Sequence, residues 1–153
     1  MEEDAGRVRI KVKRVRGNNN GPLPIYMTEH AAGLDIHAYL DEEVHIAPGQ
    51  RRLIPTGLAV AIPDGFEVQV RPRSGLAILE GVTLVNTPGT IDADYRGEIG
   101  ILLINHGEEP VSIKNGQRIA QLVVSRVYRA TLEEVEELPL SSRHEGGFGH
   151  TGL

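Results

Sequence analysis

The sequence predicts an all-β fold, a sandwich or barrel-like arrangement of short strands. Three observations carry this expectation. Short apolar runs recur along the chain, each closed by Gly, Pro, Asn or Asp. The 18 glycines and 9 prolines follow no collagen period, so they read as frequent turns. Hydrophobic residues reach 40% while aromatics are only 4%, which leaves Val, Ile, Leu and Ala to fill the core, a sheet-like filling. At 153 residues the chain is one domain with enough length to bury a sizeable core.

The elements follow in order. Residues 7–16 alternate cations with Val8, Ile10 and Val12 over most of their length, which predicts a strand with those three facing inward. Its six cations read as the solvated, charge-guarded face of an edge strand, or as an anion or nucleic-acid patch. Residues 17–22 are a loop by every turn signal. Strands are expected at 33–40, at 44–47 before Pro48-Gly49, and at 51–54, 57–62 and 66–71. Pro63-Asp64-Gly65 reads as a hairpin-type turn between the last two. Residues 74–80 read as a short helix with Ser74 as its N-cap. Strands at 81–85 and 98–104 flank a tight turn over 86–97, so the whole reads as a β-hairpin. Further strands are expected at 111–113 and 119–127, separated by Lys114-Asn115-Gly116. Residues 132–138 read as a helix or equally as an extended, Glu-rich linker. The Gly-rich stretch 141–153 buries too little apolar surface to order itself. The organisation is therefore one β domain over residues 1–140 and a C-terminal arm over 141–153.

Composition also excludes function classes. A net charge of −5 provides no global basic field for nucleic acid. The absence of cysteine removes any disulfide framework or thiolate metal site. The N-terminus lacks a secretion-signal layout and no apolar run approaches membrane-spanning length, so a soluble, intracellular chain is expected. The six histidines show no zinc spacing. Nucleophile elbow, Walker-type phosphate loop and dinucleotide fingerprint are all missing from the sequence.

Candidate chemistry gathers in three places. The turn region 86–97 holds Asn86, Asp92, Asp94 and Tyr95, more polar groups than a turn requires. It is either a functional loop with crowded carboxylates or a solvated turn; its spacing does not follow the EF-hand pattern. Arg71-Pro72-Arg73-Ser74-Gly75 leaves a strand and enters a helix. Free N–H groups beside two guanidinium groups make it an anion site, or else an ordinary capped helix with surface arginines. The tail sets Phe148 among Gly146, Gly147 and Gly149, with Arg143 before and Thr151 after. Such a tail is a floppy terminus, or a segment that stacks a ring on a nucleobase and closes its backbone around phosphate.

Taken together, these segments resemble the trimeric deoxyuridine triphosphatase (dUTPase) family. Five motifs occur in family order, over about residues 7–152. They are Ala32-Gly33-Leu34-Asp35-Ile36, preceded by a family-like Leu23-Pro24-Ile25-Tyr26-Met27-Thr28; Arg71-Pro72-Arg73-Ser74-Gly75; the segment 86–97; Gly116-Gln117-Arg118-Ile119-Ala120-Gln121; and residues 143–152 with their Gly146-Gly147-Phe148-Gly149 core. The resemblance implies a distorted β-barrel with jelly-roll-like (β-clip) character and one short helix. It implies a homotrimer with shared active sites: the hairpin from one subunit, the phosphate-binding motifs from a second, the tail from a third.

The implied reaction is hydrolysis of dUTP to dUMP and pyrophosphate with Mg²⁺, which keeps uracil out of DNA and supplies dUMP for thymidylate synthesis. By resemblance, Asp92 is the general base and Gln121 positions the attacking water. Asp35 binds Mg²⁺ through water, while the triphosphate holds most of the ion. Arg73, Ser74, Gly75 and Gln121, then Arg143, Gly149 and Thr151, contact the phosphates. Asn86, with Thr90, Ile91 and backbone near Gly100, contacts the nucleoside, and Tyr95 packs beneath the deoxyribose. Phe148 stacks on uracil. No membrane or direct nucleic-acid partner is implied; the expected location is the cytoplasm, or also the nucleus in a eukaryote. The departures are His144 and Glu145, where small residues are common, and His150, where serine is usual. The related dCTP deaminases place a catalytic glutamate near Asp94-Tyr95 and lack the Phe-containing tail, and a non-enzymatic nucleotide sensor would not need Asp35, Asp92 and Gln121 intact.

Overall fold

Period-two burial organises the strands, as the sequence pattern requires. Along β9 (Glu98–Asn105), Ile99, Ile101, Leu103 and Asn105 are buried while alternate positions stay half-buried or exposed. The computed structural model describes residues 6–17, 20–148, 150 and 152. Before β9 in the chain come β1 (Lys11–Arg14), β2 (Ile25–Tyr26), β3 (Leu34–His37), β4 (Val44–Ile46), β5 (Arg51–Ala61) and β6 (Phe66–Arg71). Next are α1 (Ser74–Glu80), β7 (Val82–Leu84) and β8 (Gly89–Ile91); β10 (Val111–Ile113) and β11 (Arg118–Arg126) follow β9.

The strands form a four-stranded sheet ordered β1-β5-β9-β7, a five-stranded sheet ordered β2-β3-β11-β6-β8, and a two-stranded β10-β4 sheet. Neighbouring strands are antiparallel throughout. One core joins all three sheets, with Ile36, Ile46, Ile54, Ile101, Leu103 and Ile113 wholly buried. The all-β expectation with one short helix holds, and the architecture is jelly-roll-like. The sheets do not close into a barrel.

Several elements differ from the sequence reading, each for a local reason. The strands expected at 51–54 and 57–62 are one strand, β5, interrupted by a bulge between Pro55 and Ala59. Pro55 pairs with Gly100 and Ala59 with Glu98, so the excess residues bow out. Gly57 takes the left-handed conformation there (φ 68°). Side chains replace the lost ladder bonds: Thr56 Oγ1 donates to the Ile99 carbonyl (2.7 Å), and the Gly57 N–H donates to Glu98 Oε1 (2.8 Å). Pro63-Asp64-Gly65 does not close a hairpin, because β5 and β6 lie in different sheets. Ser74 is not the N-cap; Arg73 holds that position without a side-chain cap bond. Only 11–14 of the expected strand 7–16 is regular, and it is an edge strand. Val12 is exposed and Val8 and Ile10 only half-buried, at the rim of an apolar groove with Leu23 and Tyr26. Residues 132–138 form no helix, and Leu132 and Leu138 stand exposed.

The largest departure from the sequence pattern lies in residues 86–97. β7 and β9 do pair as the hairpin reading requires, with Leu84 opposite Leu103. The connection is not one tight turn, however. Its middle is strand β8, which crosses to the other sheet and pairs with β6, Ile91 opposite Val68. Thr90 and Ile91 are β-branched, and Ile91 is buried, so the segment gains more as a strand than as a solvated loop.

Glu98 ties this scaffold together. Its carboxylate accepts the Gly57 N–H and a two-pronged contact from Arg16, Nε to Oε1 at 2.8 Å and Nη2 to Oε2 at 3.1 Å. Burial pushes its pKa up, but the Arg16 hydrogen bond and charge together with the Gly57 N–H outweigh that and hold it below the usual carboxylate value. A carboxyl lowered in the folded state stabilises above its unfolded pKa, and that stabilisation fades as pH falls through the folded value. Urea midpoints followed from neutral pH down through the carboxylate range should therefore fall less steeply for Glu98→Gln than for the parent; equal slopes would contradict this role.

Candidate active site

Because the 86–97 connection spans both sheets, it leaves a wedge between them. The wedge is a cleft of about 190 Å³ lined by Asn86, Thr90, Ile91, Asp92, Tyr95 and Gly100, with Val70, Leu84, Ile99 and Leu102 as apolar wall and Glu98 at its edge. Two glycines shape it. A Cβ at Gly100 would stand 2.8 Å from Leu53 Cδ1 and would also narrow the cleft. A Cβ at Gly97 would collide with the Tyr95 hydroxyl. That hydroxyl donates to the Glu98 carbonyl (3.0 Å), which fixes the ring, and the Tyr95 N–H donates to the Asp92 carbonyl (3.1 Å), which closes a turn after the carboxylate.

A second polar group forms on β3, β11 and the start of α1. Asp35 and Gln121 are direct partners across β3 and β11, and Arg71 pairs with Gln121 from β6. Antiparallel partners project to the same face, and this face lies opposite the core. Asp35 is buried, and its Oδ2 lies 3.0 Å from Arg118 Nη1 and 3.4 Å from Arg73 Nε. Arg73 Nη1 also donates to the Arg118 carbonyl (3.2 Å). Gln121 Nε2 donates to the Pro72 carbonyl (3.0 Å), and its Oε1 would lie 2.6 Å from a Cβ at Gly33, so only glycine leaves it room. His37 follows Asp35 on β3. Burial, then the Arg118 charge, lower its pKa, against the opposing pull of Asp35.

The structure thus brings the expected residues into two groups within one chain. Asn86, Thr90, Ile91, Asp92, Tyr95 and Gly100 share the cleft. Asp35, Arg73 and Gln121 share the sheet face, beside Ser74 and Gly75 at the helix start. No residue of the second group lines the cleft. In the tail, Arg143 Nε donates to the Gly146 carbonyl (2.8 Å) and Phe148 is fully exposed; neither lines the cleft. Gly149 and Thr151 lie outside the described residues. Sequence reasoning missed two features. The alternation of β9 puts Glu98 and Leu102 on the same face as the expected Gly100, which would have found more of the cleft wall. Arg118 had no such signal. Strict alternation puts positions 118 and 121 on opposite faces, and only the register shift between Arg118 and Ala120 brings Arg118 to Asp35 on the face that Gln121 shares.

Among the described residues, no group of three or more His, Cys, Asp or Glu side chains is arranged to hold a metal ion. Asp35 Oδ1, however, has no hydrogen-bond partner among the described residues. One oxygen of a buried carboxylate is therefore available to a hard cation or to its water.

Comparison with known proteins adds to this geometry. The dUTPase family model matches residues 19–152. A deoxyuridine 5'-triphosphate nucleotidohydrolase from Syntrophotalea carbinolica is 61% identical over 146 residues, covering 95% of this chain and 98% of its own. One from a Thermoanaerobacter species is 54% identical, covering 94% and 97%. Among solved structures, the Staphylococcus bacteriophage 80alpha dUTPase with dUPNHPP superposes with a TM-score of 0.84 at 29% identity, covering 95% of this chain and 99% of that one. A mutant dUTPase from phage phi11 of S. aureus, described with a structural Mg(II) ion, gives 0.74 at 25% identity, covering 84% and 97%.

The contact at Gly97 is directly testable. A crystal structure of Gly97→Ala should show the Tyr95 ring displaced and its hydroxyl parted from the Glu98 carbonyl. An unmoved ring would mean that the strand, not the side chain, yields.

Proposed function

This chain belongs to the dUTPase family and hydrolyses dUTP to dUMP, and from that premise we propose that Asp92 is the general base, taking a proton from the water that attacks the α-phosphorus and releases pyrophosphate. The observation that carries this assignment is the cleft itself, where the Asp92 carboxylate stands beside a carboxamide, a fixed phenol and an apolar wall, while the Glu98 carboxylate is taken up by Arg16 and Gly57.

Each neighbour has a matching task. The Asn86 carboxamide offers both a donor and an acceptor, the pair that uracil requires. Gly100 exposes strand backbone to the base without a side chain, and Leu84, Ile99 and Leu102 supply a dry wall for the ring. A cytosine amine would leave polar groups unpaired, and a 5-methyl group would have to compress the wall. Tyr95, held by the Glu98 carbonyl, packs under the sugar and leaves no room for a 2′-hydroxyl.

The phosphates go to the second group. Arg73 offers a guanidinium, and Ser74 and Gly75 offer N–H groups at the start of α1, where a helix has no internal acceptors for them. Gln121, steadied by the Pro72 carbonyl, positions the water. Asp35 would hold Mg²⁺ through water. The residues fit this ion: a single carboxylate with one free oxygen suits a cation that keeps several waters and takes its other ligands from phosphate. When bound, the ion would offset phosphate charge.

Separation of the two groups within one chain supports a homotrimer with shared sites, each combining the cleft of one subunit, the Asp35 face of a second and the 141–153 arm of a third. Arg143, Gly149 and Thr151 would close on the phosphates, and Phe148, fully exposed among the described residues, would cover the uracil. We assign the enzyme to the cytoplasm, with no membrane or direct nucleic-acid partner.

Pyrophosphate release with Mg²⁺ should be at least about 10²-fold faster from dUTP than from dCTP, dTTP or UTP. Comparable turnover of dTTP, or ammonia from dCTP, would overturn the cleft assignment. Asp92→Asn should slow turnover by about 10²–10⁴-fold while nucleotide still binds; a fully active variant would remove Asp92 as the base.

A further inference from the structure

Asp35 is held by two guanidinium groups, yet the proposed function uses only one of them. Both approach the same oxygen: Arg118 Nη1 at 3.0 Å and Arg73 Nε at 3.4 Å from Oδ2. Only the Arg118 contact is a hydrogen bond. Arg73 belongs to the phosphate group, so a triphosphate, with more negative charge than one carboxylate, draws it away from Asp35. A buried carboxylate that loses its only cation is strongly destabilised. The charge on Asp35 therefore needs a second partner that stays.

We propose that Arg118 is a positioning residue for the hydrolysis: it holds Asp35 by Oδ2, keeping the carboxylate oriented with Oδ1 free while Arg73 engages phosphate. The inference rests on the reading of Asp35 as the residue that holds Mg²⁺ through water. Three features favour Arg118 over any other group for this task. Its guanidinium reaches Asp35 from the neighbouring strand, not from a loop, so its base is fixed by the β3–β11 ladder. The register shift between Arg118 and Ala120 is what brings it to that face. Finally, its own carbonyl accepts Arg73 Nη1 (3.2 Å), so the same residue seats both partners of the carboxylate before substrate arrives. Hydrogen-bond partners of metal-binding side chains fix ligand orientation, and their removal lowers metal affinity by about 10–100-fold.

The readout is the gain in affinity for the α,β-imido analogue of dUTP on going from EDTA to Mg²⁺, measured by calorimetry on the full-length assembly. Taking the ratio of the two dissociation constants cancels any general loss of binding. Arg118→Ala should shrink that ratio by about tenfold or more, and Arg118→Lys, which keeps the charge but not the planar fork, should fall between Ala and the parent. Asp35→Asn is the control and should abolish the Mg²⁺ gain. If Asp35→Asn abolishes the gain while Arg118→Ala stays within about twofold of the parent, the positioning role is wrong and the metal reading stands. If Asp35→Asn itself keeps the gain, the metal reading fails and this inference falls with it. Should Arg118→Ala not fold, a parent-like ratio in Arg118→Lys overturns the proposal.

Discussion

The pairing of β8 with β6 is the constraint on which the rest of the site depends. β7 and β9 form an ordinary antiparallel pair in one sheet, and a short turn between them would have left a flat edge. Instead the connection is pulled across to the five-stranded sheet, with Val68, Gln69 and Val70 opposite Ile91, Thr90 and Gly89. The two sheets are thereby held at a fixed separation at this end of the sandwich, and the gap between them becomes a cleft with one apolar wall. Asp92 follows β8 directly, so its position is set by a ladder of backbone hydrogen bonds and not by a loose loop. The general-base role proposed for Asp92 would gain from such placement, because proton transfer depends on reach as well as on acidity.

The polar chemistry is divided by the same architecture. One face of the five-stranded sheet supplies the core, with Leu34, Leu122 and Val70 in register, and the other supplies Asp35, Gln121 and Arg71. Alternation along each strand thus sends apolar groups to the interior and charge-handling groups outward at no extra structural demand. The carboxylate that is buried on this face is also the one with two guanidinium groups beside it, the pairing that a buried acidic side chain requires.

Much of this was legible in the residues and some was not, for physical reasons. The strands whose ends carry Gly or Pro, such as β6 and β10, were read near their true limits because turn chemistry is local. The family motifs led to Asp35, Arg73, Asn86, Asp92, Tyr95 and Gln121, and the structure gathers them into two groups. What local pattern could not show was any pairing choice. Pro55 and Gly57 look like a strand break, yet Thr56 and Glu98 side chains bridge the gap and keep one continuous strand. Pro88-Gly89 looks like a turn, yet it opens β8, because the partner strand lies far away in sequence. Arg118 was invisible as a partner of Asp35, since a bulge shifts the alternation on which such reasoning depends.

Glu98 carries one consequence further. Its side chain pins the Gly57 bulge and Arg16, while its backbone carbonyl receives the Tyr95 hydroxyl. One residue therefore belongs at once to the strand that organises the core and to the cleft wall proposed to select the sugar. Local opening is separable from global unfolding only where few contacts link the two regions. Here the link is direct, so the cleft has little freedom to breathe on its own. Loosening the sugar wall means loosening the scaffold, and selectivity among nucleotides should persist on warming until the fold itself gives way.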